Sequence, residues 1–207
     1  RQDLLSKLTN EDLSNENFKF GTSKNLKIGS VNLWTQRLSY VGELGYELYI
    51  DQDKGKEIYD LIVNTGKDFK LSHCGSHAMD IMRMESGFLH WGHDISPEEN
   101  QYQAGLNFAI SFKKPFNFIG KEQLQKIKDQ KLDRRFAMFV LKNSEPGNPL
   151  LLHEEPIYLN DNIIGKTTSG NYSFNYDKNL SFGYIKSDLS NEELQDKNIY
   201  IEIEKKK

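Results

Sequence analysis

Cysteine is nearly missing: Cys74 is the only one in 207 residues. No intramolecular disulfide can form, and a reducing compartment suits the chain. Long apolar runs are missing too. None approaches the roughly 18 residues of a membrane-spanning helix, so no membrane role is expected. Excess charge of one sign is also lacking. A formal net charge of -3 supplies no global field for nucleic acid or an anionic lipid surface. The short lysine run Lys205-Lys206-Lys207 reads as a solvated end. There is no phosphate-cradling glycine loop, no dinucleotide-binding glycine pattern and no nucleophile elbow. No secretory leader is expected, and Arg1-Gln2-Asp3-Leu4-Leu5 reads like the middle of a helix. The chain is therefore expected to start inside a longer protein, with any catalytic residue upstream.

What is present describes a folded protein. Hydrophobic residues make up 37% and aromatics 12%, enough for a real core despite a mean hydropathy of -0.69. Leu4 to Leu8 reads as a helix end, followed by the polar stretch Thr9 to Asp12. From Val31 to Ile50 the texture is that of strands. Leu44, Tyr46, Leu48 and Ile50 alternate with Gly45, Glu47 and Tyr49, the period of two that separates the faces of a sheet. Lys54 to Gly66 reads as an amphipathic helix with Gly66 as its stop. A second helix is expected over about His77 to Ser86, ended by Gly87, with Met79, Ile81 and Met82 as its apolar side. A charged helix is expected from Phe118 to about Gln130. Beyond Arg134, short apolar segments alternate with Asn, Gly and Asp turns, the pattern of a small β-barrel or sandwich. The fold class is thus α+β, with an α+β region over 1–130 and an all-β domain over 131–207.

Three constellations could carry chemistry. Glu47 and Tyr49 share the strand face opposite Tyr46 and Leu48. A carboxylate there can accept two parallel hydrogen bonds from a planar N–H/NH2 pair, and Tyr40 and Tyr46 offer flat apolar area for a ring. The competing reading makes Glu47 a solvated residue, or a partner of Arg37. Cys74-x2-His77 and His90-x2-His93 have spacings near those of zinc ligands, but globular patterning on both sides needs no metal, and no metal site is expected. Asp80 and Arg83 stand three apart on the second helix, which favours a structural ion pair.

Tyr40-Val-Gly-Glu-Leu-Gly-Tyr-Glu-Leu48, then Ala78-Met-Asp-Ile-Met-Arg-Met-Glu-Ser-Gly87, His90-Trp-Gly-His-Asp-Ile95, Phe118-Ile-Gly-Lys121 and Thr168-Ser-Gly170 follow one another as in the glycine-cleavage T-protein (aminomethyltransferase) family. The resemblance runs from about residue 4 to 203. The Trp-Gly-His-Asp string looks closer to the folate domains of dimethylglycine and sarcosine dehydrogenases. The resemblance implies a T-protein-like folate-binding region, incomplete at its N-terminal side, followed by a C-terminal β-barrel. It implies tetrahydrofolate as cofactor, with FAD only in an upstream flavin domain, and a methylated glycine derivative as substrate. One-carbon transfer would follow, in the cytoplasm or the mitochondrial matrix. Glu47 matches the glutamate that holds the pterin, Tyr40 a tyrosine lining the folate site, and Trp91 is a further candidate contact. The family's catalytic aspartate would lie upstream. Met79 stands where T proteins commonly carry a folate-contacting arginine, which puts the glycine-cleavage reaction itself in doubt. A stand-alone aminomethyltransferase, or a non-catalytic regulatory module of the same fold, remains the alternative.

Overall fold

The computed structural model describes residues 2–186, 188, 190, 192, 194 and 199–205. Arg1, Lys206 and Lys207 of the terminal runs lie outside the described residues. The chain forms two compact units, Arg1–Met79 and Asp80–Lys207.

The first unit contains α1 (Gln2–Leu5), β1 (Ser23–Ile28), β2 (Val31–Gln36), β3 (Glu47–Tyr49) and α2 (Gly55–Gly66). The three strands form an antiparallel sheet in the order β1-β2-β3. β1 and β2 meet across the two-residue turn Gly29-Ser30, with Leu26 opposite Leu33 and Ile28 opposite Val31. These side chains point inward and join Leu5, Leu13, Phe18 and Ile58 in one core. Burying each fully is worth about 1.5–3 kcal/mol, which is what holds so small a sheet together. β1 lies outside the stretch that reads as strand, because Lys24 stands half-buried on the same face as Leu26 and Ile28, so the apolar alternation covers only two positions.

The expected strand over 44–50 is shorter in fact. Tyr46, Leu48 and Ile50 pack against the core, but Leu44 is exposed and residues 37–46 form a bent connection. The bend follows from Gly45, where a Cβ would lie 3.0 Å from Ser39 Cβ and 3.1 Å from the Leu38 carbonyl oxygen. The chain folds back on itself closely enough there that a side chain at 45 would press on Ser39 and the Leu38 carbonyl. Gly66 does not stop its helix by a left-handed turn. The chain continues into a 3-10 turn over Lys67–Phe69 and ends at Lys70, whose φ is 53°.

The division between units falls within α3 (Ser76–Glu85). Its end is a Schellman motif: Phe88 N–H donates to the Arg83 carbonyl, and Gly87 N–H to that of Met84, with Gly87 at φ 73°. The buried side of α3 is Ile81 and Met84, packed with Leu180 and Phe182. This corrects the expected set of Met79, Ile81 and Met82, since Met79 is exposed. The second unit continues with α4 (Lys121–Ile127), β4 (Arg134–Val140), β5 (Pro156–Leu159), β6 (Asn162–Ser173), β7 (Lys178–Lys186) and β8 (Ile199–Ile201). Among the described residues its five strands form one antiparallel sheet in the order β4-β7-β6-β5-β8. Among the described residues β4 and β8 do not pair, so the sheet is open. The class is therefore mixed helix and sheet with a β-rich end. No helix among the described residues is long and apolar enough to cross a membrane.

Candidate functional site

The first unit contains a concave space of about 460 Å³, within the range of small-molecule sites. Leu4, Leu5 and Leu8 form one wall. Tyr40 and Gly45 come from the bent connection, Tyr46, Glu47 and Leu48 from the segment around β3, Ile62 from α2 and Met79 from α3. Position 79, where the resemblance would place an arginine, thus contributes a thioether to the same wall. Among the described residues that line it, Glu47 is the only carboxylate, and none is Lys, Arg or His. A lone carboxylate on an apolar wall favours a ligand that brings its own N–H donors, because an ionised carboxylate only accepts hydrogen bonds.

Glu47 is half-buried and stands directly opposite Gln36 of β2. Its Oε2 accepts a hydrogen bond of 2.8 Å from the Tyr49 hydroxyl. That bond is the largest cause lifting the Tyr49 phenol above its ordinary range, so Tyr49 stays a donor at neutral pH. Arg37, the possible competitor for Glu47, is buried and spends its guanidinium elsewhere. It donates to the Phe18 carbonyl and, at 2.5 Å, to Asn15 Oδ1. The Tyr46 ring leans on Phe18 with centroids 5.8 Å apart. Its buried hydroxyl makes no hydrogen bond among the described residues, and burial pushes its pKa up against the lowering influence of Arg37.

Trp91 belongs to the second unit, where it is 65% exposed and bridges to Ile95. Within the first unit, the structure gathers Glu47 and Tyr40 around one cavity; Trp91 lies in the other unit.

The second unit holds a buried polar network that the sequence showed only in part. Arg83, 1% exposed, pairs with Asp80 at 2.7 Å as the spacing implied. It pairs also with the buried Asp94 and donates to Ser169 Oγ at 2.7 Å. Asp94 accepts from Thr168 Oγ1 at 2.5 Å, Ser169 Oγ at 2.7 Å and the His90 N–H at 2.9 Å. The network ties α3 and the 88–94 loop to β6. Both carboxylate oxygens of Asp94 are already engaged within the protein, which marks the network as structural. A pairwise spacing could reveal Asp80–Arg83, but not a partner on a strand some 75 residues away.

Cys74 and His77 lie in the first unit, and His90 and His93 in the second. The rings of His90 and His93 are tilted at 35° with centroids 4.5 Å apart. Among the described residues no group of three or more His, Cys, Asp or Glu is arranged to hold a metal ion.

Comparison with known proteins bears on this arrangement. The family model of the GCVT N-terminal domain matches residues 1–114, and that of the glycine cleavage T-protein C-terminal barrel domain matches residues 134–207. The chain is 38% identical over 190 residues to mitochondrial dimethylglycine dehydrogenase of Homo sapiens, covering 90% of this chain and 21% of that protein. It is 35% identical over 185 residues to an aminomethyltransferase of Halothermothrix orenii, covering 89% of this chain and 50% of that protein. The crystal structure of glycine cleavage system aminomethyltransferase T from Bartonella henselae shares the fold, with a TM-score of 0.73 at 20% identity over 89% of this chain and 48% of that one. The chain spans about a fifth of the dehydrogenase and about half of the aminomethyltransferase that it matches. On both of its matched domains, the chain belongs to the glycine cleavage T-protein family.

Proposed function

We propose that this chain is the folate-binding, one-carbon-transfer region of an enzyme like dimethylglycine or sarcosine dehydrogenase. The observation that carries the reading is the position of Glu47, a lone carboxylate in the wall of an otherwise apolar concavity that also includes Tyr40. A reduced pterin presents a planar edge of ring N–H and exocyclic NH2 that a carboxylate accepts in parallel. The leucine wall and the tyrosine ring suit the flat faces of such a heterocycle. The bound tetrahydrofolate would supply N5 as the nucleophile that captures a one-carbon unit. The protein's own part is to hold the ring by Glu47 and to keep water from the reactive carbon with the apolar wall.

The proposal extends to the rest of the molecule. Residues 1–130 form the folate region and 131–207 the C-terminal domain. Trp91 is a further folate contact, an upstream flavin domain carries FAD, and a methylated glycine derivative is the amine donor. Similarity to a mitochondrial dehydrogenase supports the matrix as one location, the cytoplasm being the other. A stand-alone aminomethyltransferase is the second reading; Met79 in the cavity wall, in place of a cation, weighs against it.

Anaerobic calorimetric titration with tetrahydrofolate tests the site. The chain should bind, and Glu47→Gln should bind about ten- to a hundredfold more weakly, the value of a hydrogen bond to a charged group. Equal affinity of the two proteins would overturn the assignment of Glu47.

A further inference from the structure

We infer that Tyr49 is a positioning residue for Glu47, holding one side of its carboxylate so that the other side is presented, in a fixed orientation, to the N–H edge of a flat heterocyclic ligand. The inference rests on the reading of Glu47 given above and adds a residue to it.

Three features of the first unit carry it. Tyr49 follows Glu47 by two residues on β3, so both side chains leave the same face of the strand. The Tyr49 hydroxyl donates to Oε2 at 2.8 Å. The Tyr49 ring is itself braced from the neighbouring strand. Trp34 lies directly opposite it, and their rings are tilted at 41° with centroids 4.7 Å apart. A cross-strand aromatic pair of this kind restricts both rings. The phenol is thus a fixed donor on a fixed mount.

The geometry leaves the acceptor capacity that a ligand needs. A carboxylate has about four lone-pair positions, and Tyr49 takes one, on Oε2. Oε1 accepts no hydrogen bond among the described residues. Oε1 and the second lone pair of Oε2 remain for two parallel donors. Without Tyr49, the glutamate would have to be ordered by the ligand at the moment of binding, at a cost in affinity. Tyr49 cannot substitute for Glu47, because a phenol has neither the charge nor two convergent acceptors.

A double-mutant cycle on the 207-residue chain separates positioning from packing. Tetrahydrofolate affinity is measured for wild type, Tyr49→Phe, Glu47→Gln and the double variant. Tyr49→Phe should weaken binding about five- to tenfold in the wild-type background and less than about twofold in the Glu47→Gln background. Equal fold losses in both backgrounds would mean that Tyr49 acts on its own account, and no loss in wild type would mean that it does not act; either overturns the inference. Should Glu47→Gln bind as wild type does, the site reading fails and takes the inference with it. A ligand-free measurement stands beside the cycle. With 13Cζ-labelled tyrosine, the Tyr49 resonance should titrate at a lower pH in Glu47→Gln than in wild type, because the hydrogen bond that raises its pKa is weakened. An unmoved titration overturns the proposed pairing whatever the affinities are.

Discussion

Replacing Asp94 by Asn gives a sharp physical test of the second unit. Asp94 and Arg83 are each 1% exposed, and their ion pair is completed by Thr168, Ser169 and the His90 N–H. Removing one partner of a buried pair leaves the other as an uncompensated charge, which typically costs about 3–5 kcal/mol. Arg83 keeps Asp80 at 2.7 Å, and the amide retains one acceptor oxygen, so the lower end applies, about 3 kcal/mol. For a chain of this length, that corresponds to a fall of roughly 6–12 °C in the unfolding midpoint. Asp80→Asn is the control. The Asp80 side chain is 32% exposed and Arg83 would keep Asp94, so its cost should stay near 1 kcal/mol, or about 2–4 °C. The assay is thermal unfolding followed by near-ultraviolet circular dichroism at pH 7, with and without 1 M salt. Salt should alter the Asp94 effect little, since buried pairs are weakly screened. If Asp94→Asn unfolds within about 2 °C of wild type, or Asp80→Asn costs more, the network is not the fastener described here.

Two further outcomes are expected. Tyr46→Phe removes a buried hydroxyl that makes no hydrogen bond, so denaturant unfolding should show the variant equal to wild type or up to about 1 kcal/mol more stable; a comparable loss would reveal a partner for the hydroxyl. Asp133 accepts a 2.6 Å hydrogen bond from Gln103, the largest cause holding its carboxyl below the ordinary range. A depressed folded-state pKa gives a contribution that is complete above about pH 4 and is lost as pH falls through the folded value. The stability difference between wild type and Asp133→Asn should therefore shrink in acid. Because Asp133 is exposed, the difference at neutral pH should be only a few tenths of a kcal/mol; a difference that does not change between pH 6 and pH 2 would refute the link.

What could be read from the sequence was local and periodic. The helix now seen as α3 was legible because its apolar residues recur at helical spacing and Gly87 supplies the left-handed stop. Even so, its buried face was misjudged, since spacing alone does not say whether Met79 or Met84 meets the sheet. The shared face of Glu47 and Tyr49 was legible because strands alternate by two. The cavity beside Glu47 was not, because its leucine wall comes from α1 and the turn after it, about 40 residues earlier, and its Ile62 from α2. Only tertiary folding brings those walls together. β3 was overestimated for a related reason: the chain doubles back at Gly45, close to Ser39, before the alternation can act, and alternation carries no record of such an approach. Likewise, Asp94 could not be connected to Thr168 and Ser169 without coordinates, since their bonds span about 75 residues.

The charge network around Asp94 also sets the terms on which Trp91 meets anything else. The loop that carries this indole is closed by its own backbone, with Asp94 N–H bonded to the His90 carbonyl and Gly92 N–H to that of Ile95. Its far end is moored to the sheet through Asp94. A large aromatic surface thus stands in solvent on a stiff pedestal rather than on a wandering loop. Whatever packs on it gives up little freedom in doing so. Trp91 is therefore a position where exchange can alter recognition while leaving the folded scaffold beneath it undisturbed.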